Sequence, residues 1–352
     1  MVKPRAQLHN LSVCEHGGKP GTAKNSRVID FSTNLNPYGP PGFLSEALKA
    51  AIHGLNRYPD NECRELRAKI SNKFGCREEE VQVGAGVSEL IPLVAHAFAK
   101  KRVLMLKHTY GEYELAARVI GAKVKQIEMP GLRIQPELIV AEMKPEDVVF
   151  VCNPNNPTGQ YLGKEEQAPL IEAAERLDAL LVIDEAYVEF VPDAYPLHSC
   201  VSSSRNLLIL RSITKSFTIP GVRIGYAIGS EAIIQAMQKI KAPWSVSVFA
   251  EKIGTAVIGA AGDAFLKETT AKIETGKQQI ENEFAVQSDA NFYILDVGDA
   301  SKMKAALLEH GLVVRDCTSF GLPTHVRFSV RSEAENNLLI NTILELISTR
   351  NR

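Results

Sequence analysis

The stretch RSITKSFTIPGVRIGY, residues 211 to 226, decides what this sequence predicts. Lys215 stands among the hydroxyls of Ser212 and Thr214, and Arg223 follows eight residues later. An amine attacks a carbonyl only while it is neutral, and burial or a nearby cation such as Arg223 favours that form. Hydroxyls and a guanidinium together bind phosphate. The stretch therefore suggests a lysine that forms an imine with a phosphorylated aldehyde, pyridoxal 5'-phosphate (PLP), although in isolation it also fits a surface loop with a solvated lysine.

The composition is that of a globular protein that acts on small molecules. The 352 residues are 45% hydrophobic and 23% charged, and 40 basic against 41 acidic residues give a net charge of −1. This balance predicts neither a nucleic-acid nor a membrane partner. The six cysteines contain no C-x-x-C pair, which favours free thiols over a zinc site or a disulfide framework. No signal peptide is seen, and no apolar run is long enough to span a membrane. Together with the cysteine pattern, this predicts a cytoplasmic protein without a metal.

Short, wholly apolar runs alternate with amphipathic segments through the middle of the chain. Such a pattern predicts an α/β fold with a mostly parallel central sheet flanked by helices. Mixed strands and helices near the C-terminus predict a smaller α+β domain, completed by the Gly- and Pro-rich N-terminal arm. The predicted division is 1–55 for the arm, 56–250 for the large PLP-binding domain and 251–352 for the small domain. The apolar runs are Val103–Leu106, Val148–Val151, Leu180–Ile183, Leu207–Leu210 and Ile224–Ile228.

Ligands of parallel sheets bind at the carboxyl ends of the strands, and polar motifs follow several of these runs. CNPNNPTG at 152–159 offers Asn156 to a phenolate oxygen, unless it is an ordinary rigid turn. DEAYVEF at 184–190 offers Asp184, whose carboxylate would pair with a protonated pyridine nitrogen, and Tyr187, which could reach the O3' atom. The alternative for Asp184 is a helix cap.

Two further motifs complete the set. GAGVSE at 84–89 opens a helix after a short strand, so Val87 and Ser88 are candidate phosphate donors. KHTYGEY at 107–113 supplies Tyr110, which could stack on a flat ring or pack in the core. Each motif is weak alone. Together they provide every group that PLP requires, and all of them lie at predicted strand ends.

The sequence resembles the fold-type I PLP enzymes of the aspartate aminotransferase superfamily. The likeness rests on NPNNPTG, DEAY and S-x-T-K-x-x-x-x-P-G-x-R-x-G-Y in this order and spans nearly the whole chain. It is strongest to the branch that contains the histidinol-phosphate aminotransferases and the threonine-phosphate decarboxylases. The resemblance implies a homodimer in which Tyr58, in RYPD, reaches the PLP phosphate of the other subunit.

The same resemblance implies the substrate-binding residues. Arg327, in VRFSV, would bind the α-carboxylate, and Arg315, in VRDC, would lie near a substrate phosphate. Asn36, in NLNPYG, belongs to the segment that closes over the substrate. His16, in HGG, would contact the substrate phosphate, although Lys19 follows where the family usually has Asn.

The resemblance leaves the reaction open. HGG before DFSTNLNPYG, together with VRDCTSFGL at 314–322, is similar to the decarboxylases and favours L-threonine O-3-phosphate as substrate. If the substrate carboxylate is held perpendicular to the cofactor ring, CO₂ leaves; if the Cα–H bond is held there, Lys215 takes the proton and transamination follows. The alternatives are therefore histidinol-phosphate aminotransferase and a catalytically silent binding protein with this fold, against which the intact Lys215 and Asp184 argue.

Overall fold

The computed structural model describes residues 2–9, 11–18 and 28–350, so Lys19 lies outside the described residues. The strands are β1 (Ile29–Asp30), β2 (Val81–Gly84), β3 (Arg102–Leu106), β4 (Lys123–Ile127), β5 (Val148–Cys152), β6 (Leu180–Asp184), β7 (Leu207–Ser212), β8 (Gly225–Gly229), β9 (Phe292–Asp296), β10 (Leu312–Val313), β11 (Arg315–Asp316) and β12 (His325–Ser329). The helices are α1 (Leu44–Ile52), α2 (Arg64–Phe74), α3 (Val87–Phe98), α4 (Glu112–Val119), α5 (Pro136–Glu142), α6 (Lys164–Leu177), α7 (Ile213–Ser216), α8 (Glu231–Gln238), α9 (Val248–Val257), α10 (Ala260–Phe284), α11 (Ala300–Glu309) and α12 (Glu333–Arg350).

A seven-stranded sheet forms the centre of the molecule, in the order β2-β8-β7-β6-β5-β3-β4. Strands β3 to β7 pair in parallel, and β8 alone runs antiparallel to its neighbours β7 and β2. The predicted α/β fold with a mostly parallel sheet is confirmed. Because β8 is reversed, its first residues lie at the same edge as the last residues of the other strands.

The sheet is buried on both faces, which explains why its strands are apolar along their whole length. Alternate residues of one strand point to opposite faces. In β5, Val149 and Val151 pack into one core, while Val148 and Phe150 pack into another. Both cores form only when helices cover both faces of the sheet.

A second, antiparallel sheet has the order β11-β12-β9, and β1 pairs in parallel with β10. A third core lies here, between this sheet and α10, α11 and α12, and it includes Phe31 of the arm and Tyr187 of the DEAYVEF motif. The segment from Leu312 to Asp316 contains two short strands, β10 and β11, which join different sheets. The predicted domain division stays a prediction, and its boundary at 250 falls inside α9.

The strand β4 was not predicted. It lies at the edge of the large sheet, and only Ile127 of its five residues is buried, so it lacks the continuous apolar pattern of the inner strands. All six cysteines lie within the described ranges and are unpaired. None of the helices in those ranges combines the length and apolarity needed to cross a membrane.

Candidate active site

A cavity of about 1020 Å³ opens where the carboxyl ends of the central strands meet the second sheet and the N-terminal arm. Thirteen of the fifteen residues predicted from the sequence line this cavity. They are His16, Val87, Ser88, Tyr110, Asn156, Asp184, Tyr187, Ser212, Thr214, Lys215, Arg223, Arg315 and Arg327. The described residues contain no group of His, Cys, Asp or Glu side chains suited to hold a metal ion.

Lys215 lies in the short helix α7, directly after β7 ends at Ser212. Burial and, to a smaller extent, the nearby guanidiniums of Arg327 and Arg223 together lower the pKa of Lys215 to about 8. The sequence anticipated Arg223 but not the larger effect of Arg327. A lysine in this environment is partly neutral near neutral pH and can act as a nucleophile or a base.

The side chains predicted to bind phosphate converge at the start of α3. Arg223 Nη2 donates a hydrogen bond of 2.9 Å to Ser88 Oγ, and the hydroxyls of Ser212 and Thr214 share one of 2.9 Å. Gly86 has a φ of 82°, and an added Cβ would lie 2.6 Å from Arg223 Nη2. Only glycine fits there without strain, so the guanidinium can lie against the backbone turn. The N–H groups at the beginning of α3 add the positive end of the helix dipole.

Asp184 is the last residue of β6 and is buried. Its carboxylate accepts hydrogen bonds from the Tyr113 hydroxyl at 2.7 Å and from the Ala186 N–H at 3.1 Å. Burial raises the pKa of Asp184 to about 6, and these two hydrogen bonds oppose that rise. No lysine, arginine or histidine of the described chain forms an ion pair with Asp184. A buried carboxylate without a cation fits a protonated pyridine nitrogen.

Aromatic side chains line or lie behind the part of the cavity next to Asp184. Tyr110 contacts Tyr113 edge to face, with ring centroids 5.6 Å apart, and Tyr113 stacks on Phe150 at 4.9 Å. Burial raises the pKa of Tyr110 well above its usual range and that of Tyr187 to about 12. Both phenols are therefore neutral hydrogen-bond donors at neutral pH.

The two arginines assigned to substrate come from neighbouring strands. Arg327 Nη2 donates to the Ser32 carbonyl at 2.7 Å, and Nη1 donates to Asn156 Oδ1. Its buried Nε has no partner among the described residues, and burial lowers its pKa. Arg315 Nη2 donates to Ser319 Oγ at 2.6 Å and to the Glu15 carbonyl at 2.9 Å. Neither guanidinium has a close buried carboxylate among the described residues, so both are available to bind an anion.

The N-terminal arm forms one wall of the cavity. His16 Nε2 lies 2.9 Å from Glu112 Oε1 at the start of α4, and its ring centroid lies 6.1 Å from that of Tyr110. The HGG segment therefore approaches both the predicted ring stacker and Arg315, whose partner Glu15 precedes His16.

Two predicted residues do not line the cavity. Asn36 is fully buried and uses its side chain to join segments: its Nδ2 donates to the Ser216 carbonyl at 2.9 Å and to Thr269 Oγ1 at 2.8 Å. Its assignment to the substrate is therefore corrected, because it positions the chain behind Lys215. Tyr58 is 79% exposed and stacks on Trp244 outside the cavity, so its predicted role at a second subunit is untested.

Three residues of the site were missed. Asn34 lines the cavity. The motif NLN contains both Asn34 and Asn36, and only Asn36 was given a role. Tyr113 was quoted within KHTYGEY without a role, yet it is the residue that contacts Asp184. Phe320 lines the cavity within VRDCTSFGL, a motif in which only Arg315 was given a role.

A buried lysine, a cradle for phosphate and an unpaired carboxylate at the strand ends define the class, a PLP-dependent enzyme. The chain belongs to the family of aminotransferases of class I and II, whose model matches residues 26–343. Family membership confirms the prediction that the cofactor is PLP. The residues that fit PLP are Lys215 and Asp184, together with the phosphate-binding groups at 86–88, 212, 214 and 223.

Individual relatives carry two different names. The chain is 34% identical over 345 residues to a "Putative threonine-phosphate decarboxylase" of Caldanaerobacter subterraneus subsp. tengcongensis, covering 94% of this chain and 93% of that protein. It is 30% identical over 338 residues to "Histidinol-phosphate aminotransferase 1" of Bacillus cereus, covering 92% and 90%. The structure of the histidinol-phosphate aminotransferase from Clostridium acetobutylicum superposes with a TM-score of 0.85 at 27% identity, over 92% of this chain and 100% of that one.

Proposed function

We propose that this enzyme decarboxylates L-threonine O-3-phosphate to (R)-1-amino-2-propanol O-2-phosphate, a product used for the cobalamin side chain. The observation that carries this proposal is that His16 of the HGG segment lines the same cavity as Arg315 and Lys215. That segment, together with VRDCTSFGL, is the feature by which the sequence resembles the decarboxylases. The relative at 34% identity supports the same choice.

In this proposal the two arginines bind the two anionic groups of the substrate. Arg327 binds the α-carboxylate, since its Nε–H is buried and unpaired and its Nη atoms are held by Ser32 and Asn156. Arg315 and His16 bind the phosphate. With both ends held, the rotation about the Cα–N bond is fixed, and the bond that stands perpendicular to the cofactor ring is selected.

When bound, PLP supplies an electron sink for the electron pair left at Cα. Lys215 then delivers from its Nζ the proton that replaces CO₂ at Cα. A pKa of about 8 suits this transfer, because much of the amine is protonated near neutral pH. After the transfer, the neutral amine takes another proton from solvent. Tyr110 and the arm residues restrict the access of water to the reacting carbon.

The second candidate is a histidinol-phosphate aminotransferase, favoured by relatives such as the Bacillus cereus protein. Histidinol phosphate carries a phosphate but no carboxylate, so in this reaction the two arginines would bind that phosphate and, in turn, the carboxylates of the 2-oxo acid. Lys215 would first remove the Cα proton. A 2-oxo acid would then be needed as acceptor of the amino group.

One assay separates the two reactions. The purified enzyme loaded with PLP is incubated with threonine phosphate and without any 2-oxo acid. Equal amounts of CO₂ and of the amine product are expected, and the Lys215→Ala variant serves as a control that releases neither. Absence of CO₂, together with amino transfer from histidinol phosphate to 2-oxoglutarate, would refute the decarboxylase.

We also propose that the enzyme is a homodimer. Four apolar side chains lie exposed around the end of α1 and the segment before α9: Ile52, Leu55, Tyr58 and Trp244. Tyr58 and Trp244 stack with ring centroids 4.5 Å apart. Exposed large apolar and aromatic side chains of this kind are typical of a protein–protein interface.

Mixing two inactive variants tests this dimer. Tyr58→Ala and Lys215→Ala are each expected to lose activity, but their mixed dimer contains one site with both Lys215 and the Tyr58 of the other subunit. Activity should therefore reappear when the two variants are unfolded and refolded together. A monomer in sedimentation analysis, or a mixture that stays inactive, would contradict the shared site.

A further inference from the structure

Arg315 and Arg327 are directly opposite each other on adjacent antiparallel strands, β11 and β12. Side chains opposite each other in such a pair project from the same face of the sheet, with their Cβ atoms about 5 Å apart, and like charges in these positions repel. Burial lowers the pKa of Arg327, and the charge of Arg315 acts in the same direction, while Tyr187 and Cys317 oppose it. The pair requires something that keeps the two guanidiniums apart.

The chain provides little negative charge for this purpose. Arg327 forms no ion pair with any carboxylate of the described residues. Arg315 lies 3.6 Å from Glu15 Oε2, but the Glu15 side chain is 72% exposed, so solvent screens the attraction. Both arginines are nevertheless buried.

The ring of Phe320 contacts both guanidiniums. Its centroid lies 5.7 Å from Arg315 Cζ and 5.9 Å from Arg327 Cζ. The negative electrostatic potential over an aromatic face attracts a cation at such distances. Phe320 is thus the one side chain of the described residues whose ring has cation–π contacts with both arginines.

The backbone that carries this ring is held by contacts with both sheets. Residues Cys317–Phe320 form a single 3₁₀ turn, capped where Asp316 Oδ1 accepts from the Thr318 N–H at 2.8 Å. The Phe320 carbonyl lies 2.7 Å from His108 Nδ1, in the loop after β3. Gly321 follows with a φ of 75°, and an added Cβ there would lie 3.4 Å from the His108 ring. The backbone of Phe320 therefore cannot shift unless the turn or the loop moves, and the attachment point of the ring stays in place.

We propose that Phe320 is a specificity-determining residue that sets the distance between the two anion-binding guanidiniums, and hence the chain length of the substrate that spans them. The inference rests on the proposed roles of Arg327 and Arg315 toward the two anionic groups. It names the substrate class as a short amino acid with a second anion at a fixed separation. Phosphorylated and dicarboxylic amino acids both belong to this class.

Dianions that lack an amine test the inference without any reaction. Phosphonoacetate, 3-phosphonopropionate and 4-phosphonobutyrate place one, two and three methylene groups between a carboxylate and a phosphonate. Threonine phosphate has three atoms between its carboxyl carbon and phosphorus, so the wild-type holoenzyme is expected to prefer 4-phosphonobutyrate. Because one methylene in a fitted pocket discriminates by roughly tenfold or more, the dissociation constants from calorimetry should differ by about that factor.

Three variants sharpen the result. Phe320→Leu should reduce the preference to less than about threefold, whereas Phe320→Tyr, which keeps the ring, should retain it. Phe265→Leu removes a ring that stacks on Phe217 outside the cavity and should also retain the preference. Equal cofactor absorbance and melting temperature verify that each variant is folded.

Two outcomes would overturn the inference: a wild-type enzyme that binds all three dianions equally, or a Phe320→Leu variant with an undiminished preference. Either can occur while CO₂ is released from threonine phosphate, so the proposed reaction would survive. Conversely, an enzyme that only transaminates could still discriminate among the three dianions through Phe320.

Discussion

Replacing Asp184 by Asn should affect the protein with and without its cofactor in opposite directions. In the cofactor-free protein the carboxylate is buried, and its hydrogen-bond partners among the described residues are Tyr113 and the Ala186 N–H. An amide at this position keeps the shape of the side chain and can still bond to both groups. The substitution therefore removes a buried charge and leaves the packing intact.

The size of the effect follows from the pKa of Asp184. Burial raises it from 3.8 to about 6, so between these two pH values the folded protein holds a proton that the unfolded chain has released. Stability conferred by the protonated form is therefore lost as pH rises from about 4 to 6, and the loss amounts to about 3 kcal/mol above pH 7. Asp184→Asn should recover this amount at pH 7 and almost nothing at pH 4. With roughly 2 cal/mol/K of unfolding entropy per residue, the gain corresponds to about 4 °C in melting temperature.

Thermal unfolding of the cofactor-free proteins between pH 4 and 8 measures the difference. Asp193→Asn, at an exposed position, is the matched control and should follow the wild type at every pH. With PLP present the order reverses, because the variant lacks the partner of the pyridinium and should bind PLP about 10²-fold more weakly. If the cofactor-free Asp184→Asn protein melts below the wild type at pH 7, or differs from it equally at pH 4 and pH 7, the assignment of Asp184 as an uncompensated buried carboxylate is wrong.

Three other substitutions test separate parts of the site. Lys215→Ala should still bind PLP but abolish turnover, and borohydride reduction followed by mass spectrometry should find no cofactor attached to the variant; full activity would contradict the assignment. Arg327→Ala should raise KM for the amino acid by roughly 10² to 10³, since loss of a charged partner to a buried carboxylate costs about 3–4 kcal/mol. An unchanged KM in steady-state kinetics would show that Arg327 does not bind the substrate. Gly86→Ala would place a Cβ 2.6 Å from Arg223 Nη2 at a φ of 82°, and fluorescence titration should show PLP affinity reduced roughly tenfold. Gly42→Ala, where nothing lies within 4 Å of the new Cβ, is its control and should bind PLP normally.

The groups placed around the cofactor were predictable because each follows a strand of the large sheet. Asp184 ends β6, Lys215 follows β7, and Val87 begins the helix after β2. An inner strand is recognisable as an apolar run, and its carboxyl end is a known position in an α/β fold. Once the strands are recognised, the side chains at their ends must lie close together.

Other features depend on contacts between segments that are distant in sequence. The choice between Asn34 and Asn36 is one example: both occur in NLNPYG, and only the contacts of Asn36 with Ser216 and Thr269 show which of them faces away from the cavity. The split between β10 and β11 is another. Val314 separates them, and nothing in LVVRD indicates that Val313 pairs with the arm while Arg315 pairs with Arg327.

The substrate groups belong to this second kind, which explains why the sequence determines the cofactor more firmly than the reaction. Arg315 and Arg327 come from the second sheet, Phe320 comes from the turn after β11, and His16 comes from the arm. None of them is therefore held by the strands at whose ends the cofactor residues lie. Asn156 connects the two sets, because it follows β5 and accepts a hydrogen bond from Arg327. A change at His16 or Phe320 can therefore alter the orientation of the substrate while the contacts of Lys215, Asp184 and Arg223 persist. Since that orientation selects the bond that breaks, the reaction can diverge among relatives that share the whole cofactor site.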